Sequence, residues 1–174
     1  RSPSRGLGDV YKRQNLEELP EFQAGLFYIQ DPASRLAVAA AGPAAGMRVL
    51  DACAAPGGKS FAAAIAMGGR GTVCSCDLHP HKKKLIANGA ARLGLDCVTP
   101  MTADACVHRP EWEGAFDLVL VDAPCSGLGV IRKKPDIRYK APEPLENLPK
   151  VQAAILDNVA RYVRPGSLDR HGCI

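Results

Sequence analysis

No apolar run in the 174 residues approaches membrane-spanning length; stretches such as Leu36 to Ala45 are Ala-rich and helical in character. The N-terminal residues show no signal-peptide pattern. Seven cysteines are present, but none are paired at the spacing of a zinc site. A soluble chain from a reducing, cytoplasmic compartment, without a structural metal, is expected. Two nucleotide signatures are also missing. There is no G-x-G-x-x-G triple. The tail of a P-loop occurs at Gly58-Lys59-Ser60, but its first glycine would fall at Cys53, so the backbone nest for phosphates is incomplete. General basicity is lacking as well. Of the net charge of +4, residues 1–14 hold Arg1, Arg5, Lys12 and Arg13 against Asp9, and the remainder is close to neutral.

Residues 1–14 (RSPSRGLGDVYKRQ) have no periodicity and no apolar face, and DVYKRQ resembles a translated sequencing adaptor. They are set apart as a non-native leader, with a natural basic arm as the competing reading. The remaining chain, 47% hydrophobic over its full length, suffices for one compact domain. Asp31-Pro32 is a cap followed by a first-turn proline, opening a helix to about Ala41 that Gly42 and Pro43 stop. Met47 to Ala52 reads as a buried strand, Ser60 to Met67 as an Ala-rich helix, and Thr72 to Asp77 as a second strand. Pro80 opens a helix to about Leu93, with Gly94 just past its end. Cys97 to Met101 is a weak third strand. Phe116 to Ala123 is a near-continuous apolar run suited to a parallel sheet covered on both faces. A proline-rich stretch, 135–149, leads to a helix ending near Val163. Its residues Leu148, Val151, Ile155, Val159 and Tyr162 recur at intervals of three and four and predict one packed face.

Strands alternating with helices imply a doubly wound α/β domain with a mostly parallel sheet, which binds ligands beyond the carboxyl ends of its strands. Acids stand at those ends: Asp51, Asp77, Asp104 just after the third strand, and Asp122. Four acids on one sheet edge define a candidate site. Gly57 and Gly58 follow the first strand, where backbone must turn sharply or approach a ligand. With both phosphate signatures incomplete, a cofactor with ribose and adenine but no phosphate fits better. Asp77, at the tip of strand two, is placed to accept hydrogen bonds from ribose hydroxyls.

Two segments are specific. LDACAAPGGKS (50–60) and DLVLVDAPCSGLGVIRKKPD (117–136) resemble the cofactor loop and the Asp-Ala-Pro-Cys motif of the NOL1/NOP2/Sun RNA cytosine-C5 methyltransferases. GLFYIQDPAS (25–34) resembles the segment leading into the same domain. The likeness is greatest to the bacterial Sun (Fmu) type, which methylates small-subunit (16S) ribosomal RNA, and it spans a partial catalytic domain at 15–167. It implies a Rossmann-like fold that binds S-adenosylmethionine. Cys53, Ala54, Ala55, Pro56, Gly57, Gly58 and Lys59 would wrap the methionine end. Asp77 would hold the ribose, Asp104 would lie near the adenine, and Asp122 would sit between cofactor and target base. Cys125 would be the motif cysteine beside that base. In this family the thiol that attacks cytosine C6 lies in a later Thr-Cys motif, and the Pro-Cys cysteine assists release. DNA cytosine methyltransferases instead use a Pro-Cys cysteine as nucleophile.

After Arg164-Pro165-Gly166 the family continues with an apolar strand ending in Thr-Cys, whereas this chain reads Ser-Leu-Asp-Arg-His-Gly-Cys-Ile. Asp169, Arg170 and His171 do not suit a strand buried on both faces. Residues 168–174 are therefore expected to be an aberrant terminus that packs against nothing, and Cys173 is not assigned as nucleophile. Cys74, Cys76, Cys97 and Cys106 read as small core residues, and His79, His81 and His108 as surface. Lys82 to Lys84 read as a solvated helix face. Arg132, Lys133, Lys134, Arg138 and Lys140, with Tyr139 among them, outweigh Asp136 and suggest contact with an RNA backbone. The expected partner is an RNA, bound by a monomer. Three alternatives remain: a methyltransferase for transfer or other RNA, an inactive cofactor-binding fragment, and a P-loop nucleotidase.

Overall fold

The computed structural model describes residues 16–127 and 146–166, together with the backbone of Gly172 and Cys173. After a short 3-10 turn at Leu16–Glu18 and the one-turn helix α1 (Pro20–Gln23), the chain enters helix α2 (Pro32–Ala41). Its start follows the expected chemistry: the Asp31 carboxylate accepts from the Ala33 amide at 3.0 Å, and Pro32 needs no donor there. Strand β1 (Arg48–Asp51), helix α3 (Gly58–Ala66), strand β2 (Thr72–Asp77), helix α4 (Pro80–Arg92) and strand β3 (Val98–Thr102) then alternate. Strand β4 (Leu118–Val121) and helix α5 (Leu148–Val159) follow, the latter running into a 3-10 turn over Ala160–Tyr162. Strand β4 is shorter than its apolar run. Phe116 makes only an isolated parallel bridge to Val163, and the chain leaves the sheet at Asp122.

The strands are all parallel and ordered β3-β2-β1-β4-β5, where β5 is Gly172–Cys173. Those two residues pair with Leu120 and Val121, so the expectation that 168–174 packs against nothing fails for them. Gly172 and Cys173 bring no charged side chain to the ladder; the charged residues of that segment precede them. The chain builds outward from β1 to β3, then returns to place β4 on the other side of β1. The strand order reverses between β1 and β4, and a crevice opens there at the carboxyl edge.

Side-chain alternation divides the core into two layers. Val49, Val73, Leu118 and Leu120 face helices α2, α3 and α4 through Val38, Phe61, Met67 and Ile86. Leu50, Cys76, Val119 and Val121 face Ile155, Val159 and Tyr162. Both faces of β1 and β4 are covered, which is why their sequences are apolar without alternation. Helix α5 buries Ile155 and Val159, and the turn after it buries Tyr162, as the periodicity predicts, but Val151 is exposed because it borders a cavity instead. Among the described residues, no helix is long and apolar enough to cross a membrane.

Candidate active site

The crevice at the carboxyl edge contains a cavity of about 560 Å³. Cys53, Asp77, Asp104, Asp122 and Cys125 all line it: Cys53 from the turn after β1, Asp77 from the end of β2, Asp104 from the turn after β3, and Asp122 and Cys125 from the segment after β4. Its size is that of a site for a small organic ligand. Asp77 is 7% exposed and is held from several sides. Its Oδ2 accepts from the Ala55 amide of the glycine loop at 3.4 Å, its Oδ1 from the His79 amide at 3.2 Å, and Lys82 Nζ lies 3.7 Å away. The carboxylate thus ties the tip of β2 to the loop after β1. Asp104 caps its own turn by accepting from the Cys106 amide at 2.8 Å.

The glycine loop, which contains a cis Ala55–Pro56 bond, lies between this cavity and a second of about 200 Å³. Ala54, Pro56, Gly58 and Lys59 line only the second, whereas Cys53, Ala55 and Asp122 border both. Helix α3 starts at Gly58, two residues earlier than the sequence suggested, so Lys59 sits in its first turn. Lys59 Nζ donates to Asp122 Oδ2 at 2.5 Å across the loop. Gly57 lines neither cavity. Its φ is +112°, and a Cβ there would meet the Phe61 ring at 2.4 Å, so this glycine serves the turn.

Asp51 departs from expectation. It is fully buried beneath the loop, in a chain where Ser75 Oγ donates to Ser60 Oγ and Ser60 Oγ donates to Asp51 Oδ2, each at 2.7 Å. Burial pushes its carboxyl up to about 6, despite the Ser60 bond and the nearby Lys59. Its Oδ1 has no protein partner, and neither has the buried Nε2 of Gln30, whose Oε1 accepts from the Tyr28 hydroxyl at 2.9 Å. Both residues line the second cavity. Gln30, Leu78, His79 and Lys82 were not picked out from sequence. Gln30 lies in GLFYIQDPAS, so that segment was the available signal.

The cysteines separate by position. Burial, then the carboxylates of Asp51, Asp77 and Asp122, push the Cys53 thiol up to about 12, which makes it a poor nucleophile. Cys125 is exposed on the rim. Cys74 and Cys76 lie on one face of β2 with sulfurs 3.7 Å apart and pack in the core, and Cys97 is half-buried there. Cys106 corrects the expectation: it is exposed and lines the larger cavity, because the turn after β3 projects over the sheet edge rather than into the core. His79, His81 and His108 are exposed, as expected. Arg132, Lys133, Lys134, Arg138 and Lys140 lie outside the described residues, as does the 1–14 segment.

A parallel sheet of this order, with a strand-end acid binding the loop after β1 and a cavity at the switch point, is the Rossmann-like fold of S-adenosylmethionine-dependent methyltransferases. The family model described as 16S rRNA methyltransferase RsmB/F matches residues 38–168, and the chain belongs to that family. It is 48% identical over 147 residues to a probable ribosomal RNA small subunit methyltransferase B of Bacillus subtilis (strain 168), covering 83% of this chain and 33% of that protein. It is 35% identical over 163 residues to ribosomal RNA small subunit methyltransferase F of Escherichia coli O139:H28 (strain E24377A / ETEC), covering 89% and 34%. The crystal structure of NSun6 from Pyrococcus horikoshii with SFG superposes with a TM-score of 0.74 at 26% identity, covering 87% of this chain and 38% of that one. The chain thus spans about a third of the length of these relatives.

Proposed function

We propose that this chain is the cofactor-binding part of a methyltransferase acting on cytosine C5 in RNA, with small-subunit (16S) ribosomal RNA as substrate. The observation that carries the reading is convergence: Asp77, Asp104, Asp122 and Cys125 share one cavity beside the 53–59 loop. S-adenosylmethionine fits the groups present. Asp77 offers carboxylate oxygens at the position of a ribose-binding acid, and Asp104 lies on the adenine side. The unpartnered Gln30 Nε2 would supply a donor where the carboxylate of the methionine end meets Cys53 to Lys59. When bound, the cofactor supplies an electrophilic methyl group.

Cytosine C5 is a weak nucleophile, so a thiolate must first add to C6, and the base must leave its stack to be reached. Asp122 sits where cofactor and base would meet, and its pairing with Lys59 sets the charge presented to the ring. Cys125, on the rim, is placed to assist release of the thiol once the C5 proton has left. The chain contains no Thr-Cys pair, and Cys173 is not assigned the attacking role.

Calorimetry with S-adenosylhomocysteine tests the cofactor site, with binding expected and a flat titration refuting it. RNA carrying 5-fluorocytosine tests the cysteines, because fluorine at C5 blocks the release step. No covalent adduct is expected with this chain. Adducts abolished by Cys125→Ala would instead make Cys125 the nucleophile, as in the DNA enzymes.

A further inference from the structure

Residues 103–107 form the wall of the larger cavity below β3, and Ala103, Asp104, Ala105 and Cys106 line it. This turn has few ties of its own: Asp104 bonds the Cys106 amide, and its carbonyl accepts from the Val107 amide at 3.1 Å. Its start is held to β2, where the Ala103 amide donates to the Asp77 carbonyl at 3.0 Å, and the rest is held by helix α5, some 50 residues later. Asn158 is 8% exposed, and its Nδ2 donates to the carbonyls of Ala105 at 2.8 Å and Val107 at 3.1 Å. Those two acceptors fix the amide orientation, leaving Oδ1 as an acceptor. It faces the Tyr162 hydroxyl at 3.2 Å and His108 Nδ1 at 3.1 Å. The Tyr162 hydroxyl also accepts from the Arg109 amide at 2.8 Å, and the His108 ring stacks on Tyr162. One side chain therefore bonds the Ala105 carbonyl, which no strand or helix ladder reaches, and shares the Val107 carbonyl with the Tyr162 hydroxyl at 3.4 Å.

We infer that Asn158 is a positioning residue for the cofactor cavity: by clamping the Ala105 and Val107 carbonyls it sets where the 103–107 wall, and with it Asp104, meets the adenosine end of the ligand. This rests on the cofactor reading above. Asn158 stands on the buried side of an amphipathic helix, where an amide has a reason to stand only if it is fully bonded. An aliphatic residue there would fill the space, leave the Ala105 carbonyl unpaired and leave the Val107 carbonyl only the longer contact to Tyr162.

The test compares Asn158→Ala with Val159→Ala. Val159 is buried one residue away and packs on the same wall through apolar contact without hydrogen-bonding it, so its truncation reports the cost of loosened packing with the two hydrogen bonds kept. Calorimetry with S-adenosylhomocysteine and with adenosine is expected to show about a tenfold loss for Asn158→Ala, corresponding to one to two lost hydrogen bonds. The factor should be the same for both ligands, because the adenosine end is shared. Val159→Ala should lower the melting temperature while leaving both affinities unchanged. Amide exchange in the unliganded chain should accelerate at 104–109 in Asn158→Ala and not in Val159→Ala. If Asn158→Ala does not fold, Asn158→Ser, which keeps one donor, is expected to show about a threefold loss with the same ligand pattern. Unchanged affinity in a folded Asn158 variant, or equal losses in the Val159 control, would overturn the inference while leaving the cofactor reading intact. Absence of binding by the parent chain would overturn both.

Discussion

Asp77 and Asp51 end neighbouring strands, yet one reaches the large cavity and the other lies under the loop. The difference is one of partners. Asp77 meets two backbone amides and Lys82, which suit an ionised carboxylate, and keeps access to the cavity. Asp77→Ala should weaken S-adenosylhomocysteine binding by about 1–3 kcal/mol, the cost of losing a charge-assisted hydrogen bond. Equal affinities in calorimetry would remove Asp77 from the site. Asp51 is raised to about 6 by burial, so between about pH 4 and pH 6 the folded chain holds a proton that the unfolded chain has released. This contribution to stability is present below pH 4 and is lost as pH rises through 6. Asp51→Asn keeps an acceptor for Ser60 without the ionisation, and should be more stable relative to the parent at pH 7 than at pH 4. The expected difference is about 1–3 kcal/mol, one pKa unit being about 1.4. Urea unfolding at the two pH values measures it, and parallel pH profiles would refute it.

Helix α3 shows how an element depends on close approach. Its Phe61 ring is buried between two glycines: a Cβ at Gly57 would come within 2.4 Å of it, and one at Gly89 of α4 within 2.5 Å. Tyr28 packs edge-on against the same ring, with centroids 6.0 Å apart. In an exposed helix, Gly→Ala would stabilise by about 1 kcal/mol. Here the sign should reverse, with Gly89→Ala destabilising by about 1–3 kcal/mol through overpacking. Adding Phe61→Leu should recover part of the loss, as thermal melts of the single and double variants would show. A more stable Gly89→Ala variant would mean that the helices separate freely. From sequence, Gly89 is a weak spot in an otherwise good helix; only the neighbouring helix supplies its reason.

At the scale of the whole molecule, the excess of positive charge is concentrated in two short stretches, 1–14 and 132–140. The 132–140 stretch carries five basic residues against Asp136, and the rest of the chain from residue 15 onward is slightly acidic. If that stretch meets RNA phosphates, replacing Lys133 and Lys134 by Gln should lower the slope of log affinity against log salt by about 1–2, with RNA bases read unchanged. An unaltered slope would place the RNA elsewhere. The alternation of strands and helices, the cap at Asp31-Pro32 and the strand-end acids were all legible in the sequence, because each depends on local periodicity or on one residue's own chemistry. The tertiary structure alone decided which acid lines the larger cavity and which lies under the loop, that Lys59 pairs with Asp122, that Cys106 stands at the cavity, and that Asn158 bonds its wall. Those outcomes join residues about 50 or more apart in several cases, and a contact across a sheet edge leaves no trace in the spacing of either partner. Local pattern sets where strands end; only the order in which the strands lie side by side sets what meets there.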